Sequence, residues 1–287
     1  MLRQSASGPA QAESAEADTT LHTTGQQGSL RWYTMFANIP HDLVRFPRVA
    51  FRSSKIPFFV GMTVLTTALI ATDDETWRLS DRFHNHSVSI RNGSDFFEYL
   101  GDGRPPFGLA AGFALCGFAL GDQKELRTGS QLVEGILSCG IVIQTLKHIT
   151  GRESPQAATS DRGVWRFFPN QRSYQQHQSR YYAFPSGHIS TTMATVTVIA
   201  ENYPEASSIR PVGYSLVGCL AVSLVNVGYH WYSDFPLGIA MGYMFGMIAA
   251  HRGDNLFAFL GNDPYSGLRV LPAVSQEGTG VTLAFLF

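Results

Sequence analysis

Lys147-His148-Ile149-Thr150-Gly151-Arg152-Glu153-Ser154-Pro155, then Phe184-Pro185-Ser186-Gly187-His188, then Tyr229-His230-Trp231-Tyr232-Ser233-Asp234: these three polar clusters lie in one stretch of the chain, and each is joined to a long apolar run. The apolar runs carry almost no charge over about 14–20 residues, the length class of helices that cross a bilayer. Polar chemistry therefore sits at helix ends, and the rest of the chain is arranged around it.

Composition agrees with that reading. Of 287 residues, 44% are hydrophobic and only 15% are charged, and the charge is crowded into connecting segments. A net charge of −1 excludes the basic surface that a nucleic-acid partner needs. The three cysteines, Cys116, Cys139 and Cys219, lie inside apolar runs without Cys-x-x-Cys spacing and read as small buried hydrophobes.

Residues 1–30 are rich in Ser, Ala, Gln and Thr, show no hydrophobic periodicity and contain no apolar signal-peptide core. We expect them to be disordered, with membrane entry resting on the first spanning helix. Residues 31–55 mix Trp32, Phe36, Leu43 and Phe46 with Arg31, Arg45, Arg48, Arg52 and Lys55, an amphipathic segment expected in the headgroup layer and broken at Pro40 and Pro47.

Six spans are expected within residues 56–252: 56–72, 107–120, 131–146, 188–201, 211–227 and 235–250. The segment from Asp73 to Pro106 is too polar to span, and its His84 and His86 read as surface histidines without a third metal ligand. Between Gly151 and Tyr182 an irregular loop carries five arginines. In the tail, residues 253–287, alternation on either side of Gln276-Glu277-Gly278 predicts a terminal hairpin.

Lys55 before the first span and Asp73-Asp74-Glu75 after it suggest a cytoplasmic N-terminus. Counting helices from there places Lys147, His188 and His230 on one side, the extracytoplasmic one. The basic residues of the whole chain divide almost evenly between the two sides and add nothing to that count.

The three clusters resemble the type-2 phosphatidic acid phosphatase and vanadium haloperoxidase superfamily, whose pattern is Lys-x6-Arg-Pro, Pro-Ser-Gly-His and Ser-Arg-x5-His-x3-Asp. Order and spacing match over roughly residues 56–250, with Ser154 and Leu224 standing where the two motif arginines would be. The resemblance implies an all-α fold, a six-transmembrane-helix bundle with catalytic motifs at the extracytoplasmic helix ends, set in a bacterial inner membrane. It implies a lipid phosphatase of phospholipid metabolism that needs neither metal nor other cofactor. Its partners would be the bilayer and a lipid phosphate or diphosphate.

Phosphoryl transfer needs a nucleophile, a proton for the leaving oxygen, and cations or N–H donors around the equatorial oxygens. His230 is the expected nucleophile, passing through a phosphohistidine, with Asp234 fixing its tautomer. His188 is the expected general acid. Lys147 and the helix N-terminus at Ser186 and Gly187 would bind the phosphate. Arg152 could replace the missing guanidinium, and Asn226, one helical turn before His230, could donate in place of the second.

Losing two guanidinium forks would remove about 2–4 kcal/mol of transition-state stabilisation each. Two alternatives follow from that loss: a phospholipid-binding scaffold without catalysis, and a lipid phosphotransferase using the same phosphohistidine. A zinc site built from His188, His230 and Asp234 has suitable ligand types, but the resemblance assigns those residues other work.

Overall fold

The computed structural model describes residues 34–252, 267–275 and 278–286. Nine α-helices lie among them: α1 (Thr34–Ala50), α2 (Ile56–His86), α3 (Val88–Gly101), α4 (Arg104–Leu120), α5 (Gln123–Thr150), the short α6 (Gln171–Gln176), α7 (Gly187–Asn202), α8 (Ile209–Asn226) and α9 (Phe235–Ala250). Strands β1 (Gly267–Ser275) and β2 (Gly278–Leu286) pair antiparallel, with Ser275 opposite Gly278.

α9 is apolar on every face, and a helix of that kind has to be the core. It is buried along nearly its whole length and lies against α7, α5, α2 and α1. Gly238, Gly242 and Gly246 recur every fourth residue and turn one bare stripe toward α7. A Cβ at Gly242 would stand 2.3 Å from the Ser190 carbonyl oxygen, so the two helices approach as closely as backbones allow. α7 is rich in threonine, and Thr195 and Thr197 return their hydroxyls to the carbonyls of Thr191 and Met193, which leaves an apolar exterior.

α5 runs through the middle, packing on α1, α4, α7 and α9 with Leu132, Ile136, Cys139 and Ile143 buried. α2, α5 and α8 are long and apolar enough to cross a membrane, and α4 is a shorter apolar helix. The first half of α2 leaves Val60, Val64 and Leu65 exposed, as a helix does when its solvent is hydrocarbon.

Several expectations change. The first apolar helix does not stop at Thr72 but continues to His86, so Asp73 is a buried residue inside α2 and not a flank. Ion pairing explains how its charge is tolerated there. The segment that follows is helical too, as α3, which packs against α8. α1 is not broken at Pro40 or Pro47, since both prolines lie inside it. A proline removes one backbone bond, and here tertiary contacts hold the helix. Phe46 stacks on Phe245 at 4.6 Å, and Asn38 and Asp42 bond to Glu134 and Ser138 of α5. Cys139 is buried, whereas Cys116 and Cys219 are exposed on the outer surface of the bundle.

Candidate active site

Each polar cluster is placed by a helix terminus. α5 ends at Gly151, whose N–H bonds the Lys147 carbonyl at 3.0 Å, so Lys147 occupies the last full turn, where its side chain is buried. The loop beyond is tied down by Glu153, which accepts from the Thr159 N–H (2.9 Å), the Val164 N–H (3.0 Å) and Arg166 Nη1 (2.7 Å). Burial alone would raise the Glu153 carboxyl, but these donors outweigh it and hold the group below its ordinary range.

α7 opens on Ser186 as its N-cap: the hydroxyl accepts from the Ile189 N–H at 3.4 Å, and the Ser186 N–H donates to the Asp234 carbonyl at 3.0 Å. The Ser186 hydroxyl acts here as an acceptor and keeps its own proton to donate, beside the first-turn N–H groups of Gly187 and His188. α8 stops at Asn226. Gly228 turns the chain at φ +77°, and the Tyr229 and His230 N–H groups both bond the Leu224 carbonyl, at 3.0 and 3.3 Å. A single 3-10 turn over Tyr232–Asp234 then leads into α9.

These termini converge. The His188 and His230 ring centroids are 5.7 Å apart. Lys147 Nζ lies 5.1 Å from the centre of the Tyr182 ring, and a Cβ at Gly187 would stand 3.7 Å from the same ammonium. His230 is fully buried, with Nδ1 at 3.4 Å from Asp234 Oδ2 and neither ring nitrogen in a hydrogen bond. His188 Nε2 is 4.0 Å from Glu98 Oε1 of α3.

Burial pushes His230 below the ordinary histidine value, with the Asp234 contact opposing and the Lys147 charge adding to the shift. It is therefore a neutral imidazole with a carboxylate beside one nitrogen. Burial acts to raise Asp234, yet the Arg152 charge and the His230 contact outweigh it and hold the carboxyl below its usual range.

Two expected residues are engaged elsewhere. Arg152 does not reach toward the histidine pair. It is fully buried on the far side of Asp234, with Nη1 at 2.5 Å from Asp234 Oδ1 and 2.6 Å from Ser233 Oγ, and Nη2 at 2.7 Å from Asp73 Oδ2. The Trp165 and Trp231 rings lie 4.7 and 5.4 Å from its guanidinium carbon. Buried carboxylates on both sides capture it more strongly than an open site would.

Asn226 is not on a common helical face with His230, because α8 has ended before His230 is reached. Its Nδ2 donates to Ser94 Oγ of α3 at 3.1 Å, a bond between helices. At the arginine positions of the motifs, Ser154 donates to the Ser179 carbonyl at 2.9 Å and Leu224 is packed in the apolar cluster with Ile189 and Phe235.

Sequence reasoning missed Asp73, Ser233, Glu98 and Tyr182. Asp73 has one local sign, an acidic residue directly after an apolar run, and that sign reads equally well as the flank of a membrane span. Glu98 had none, since α3 carries no motif. Among the described residues no group of three His, Cys, Asp or Glu side chains could hold a metal ion.

A family model for the PAP2 superfamily matches residues 129–257. Comparison with curated proteins gives no match. The fold is similar to a solved one, described as the crystal structure of the first transmembrane PAP2 type phosphatidylglycerolphosphate phosphatase from Bacillus subtilis, at a TM-score of 0.53 and 15% identity, covering 69% of this chain and 94% of that one. At such identity the likeness is one of fold. With the apolar helices α2, α5 and α8 it describes a multi-pass integral membrane protein. Residues 129–257, the stretch that carries all three motif clusters, are thus similar to the PAP2 superfamily, and the fold around them is similar to that of a transmembrane PAP2 type protein.

Proposed function

We propose that the protein is a membrane-embedded phosphatase that removes phosphate from a lipid phosphate or diphosphate through a phosphohistidine at His230. The observation that carries this reading is the meeting of Lys147, His188, His230 and Asp234 from separate helix ends, with the two imidazole rings 5.7 Å apart.

The chemistry follows from the atoms. With Nδ1 facing Asp234, the Nε2 lone pair attacks phosphorus and the bond to the leaving oxygen breaks, while His188 gives that oxygen a proton. Asp234 stabilises the imidazolium that forms. A water molecule then attacks the phosphorus, His188 takes its proton, the P–N bond breaks, and inorganic phosphate leaves. Lys147 and the N–H groups of Gly187 and His188 hold the equatorial oxygens.

The site's place at helix ends suits a substrate whose tails stay in hydrocarbon. In this reading α2, α4, α5, α7, α8 and α9 are the six crossings, and the site faces the extracytoplasmic side of a bacterial inner membrane.

Purified protein in detergent, offered a panel of phosphorylated lipids, should release phosphate and lose that release in His230→Gln. An alkaline quench during turnover should trap a phosphorylated His230 peptide for mass spectrometry. Undiminished release by His230→Gln overturns the proposal. A scaffold reading is favoured by one observation, the absence of a guanidinium where Ser154 and Leu224 stand. Lipid binding without release, indifferent to His230→Gln, would select it.

A further inference from the structure

Asp73 belongs to no motif and lies outside the residues that the family model matches. It is nonetheless fully buried against the same guanidinium as Asp234. Three donors converge on its two oxygens: Arg152 Nη2 at 2.7 Å, the Ser233 N–H at 3.2 Å, and the Ser233 hydroxyl. Burial acts against ionisation of this carboxyl, and the Arg152 charge and the Ser233 and Arg152 donors act for it.

The Asp73–Arg152–Asp234 cluster thus holds two negative charges and one positive one on the Asp234 side of a neutral His230, on which the Lys147 ammonium also acts. Were Arg152 and Asp234 alone, the carboxylate would be neutralised by its partner, and an imidazolium forming beside it would be a buried charge without compensation. With Asp73 present the resting cluster carries −1, and it becomes neutral when His230 turns cationic.

We propose that Asp73 is a positioning residue that sets the charge balance of the His230–Asp234 pair: by sharing Arg152, it leaves Asp234 free to stabilise a cationic His230. The proposal rests on the phosphatase reading for its consequence in turnover, but not for its consequence in titration. The charged and titratable groups around His230 are Asp234 beside α9, Lys147 of α5, His188 of α7, and Tyr182 and Arg152 of the loop, with Asp73 of α2 behind Arg152. Glu98 of α3 faces His188.

The test uses full-length protein in detergent micelles carrying 15N-labelled histidine, with the His230 signals assigned by their loss in His230→Gln. Asp73→Asn removes one negative charge and should lower the His230 titration midpoint by about one unit. Arg152→Met removes the positive charge and should raise it. The double variant restores −1 and should return it toward that of the unaltered protein. In phosphate release, Asp73→Asn should lower kcat roughly tenfold to a hundredfold, the range common for groups acting through a reactive ligand, with little change in KM. The double variant should recover most of that loss.

A purely structural Asp73 predicts otherwise: lower thermal stability, an unshifted His230 titration, and a double variant no better than the single one. Any of the last two results overturns the proposal. If Asp73→Asn fails to fold, the opposite shift in Arg152→Met and its reversal in the double variant still decide the matter. If the unaltered protein releases no phosphate from any lipid, the phosphatase reading fails, while the titrations still judge this inference.

Discussion

Two clusters beside α5 are built from the same residue types put to different use. At the motif end of α5, Asp73 and Asp234 share Arg152; near its middle, Asp42 and Glu134 share Arg252. Glu134 and Lys147 are thirteen positions apart on one helix, roughly 20 Å along its axis. Around the second cluster stand Asn38 and Ser138, which only hydrogen-bond, and Arg45, which stays a cation, and Arg252 keeps a side-chain exposure of 25% where Arg152 has 0%. That cluster fastens α1 and the chain after α9 to α5. The first is sealed and borders an imidazole, so its charge can act on a group that changes protonation. Two carboxylates and a guanidinium are a clamp by themselves, and they become a tuning device when a histidine completes them.

The comparison can be broken at either cluster. The largest expected effect is at the motif end: His188→Ala should lower kcat for phosphate release by about 10²–10⁴-fold, the usual worth of a general acid. A loss that is rescued fully by substrates with an acidic leaving group would confirm the role, since such a group departs without a proton.

At the other cluster, Arg252→Met leaves Asp42 and Glu134 without the guanidinium that bonds them both, and with Arg45 as the remaining nearby cation. It should cost about 3 kcal/mol of stability, read as a lower melting temperature. The kcat of the folded fraction should stay within about twofold, because a clamp does not act on the transition state. A large kcat loss there would erase the distinction between the two clusters.

A smaller effect follows from the low titration of His230. Its folded value lies below the ordinary 6.5, so the neutral, attacking form persists into acid and the low-pH limb of kcat/KM should fall below pH 6.5. Stability moves with the same sign. The unfolded histidine takes a proton as pH drops through 6.5 while the folded one refuses it, so the contribution is full above 6.5 and declines below. Chemical denaturation in detergent at a series of pH values would measure that decline.

Least of all should Asn226→Ala matter. Losing its bond to Ser94 should cost about 1 kcal/mol and leave kcat within about twofold. A catalytic loss instead would return Asn226 to the site.

Much of this architecture is local in origin and so could be read from the chain. Apolar length specifies the long helices, a serine before Gly187-His188 marks a helix start, and a glycine at 151 marks a helix end. The spacing of Lys147, His188, His230 and Asp234 was enough to expect them together. Other features had no local sign. The two prolines of α1 looked like breaks, because the bonds that hold that helix come from Glu134, Ser138 and Phe245, far along the chain. Asn226 looked like a neighbour of His230, because a helix was assumed to continue through the turn at Gly228.

The amino-acid sequence by itself determined which helix ends carry polar chemistry, since hydrophobic length and capping residues act over a few neighbouring positions. Only the tertiary structure decided that Arg152 faces Asp73 and Asp234 instead of the histidine pair, partners 79 and 82 positions away. The physical reason is competition for one buried cation: a guanidinium goes to the carboxylates that most need neutralising, and which carboxylates are within reach is settled by packing alone.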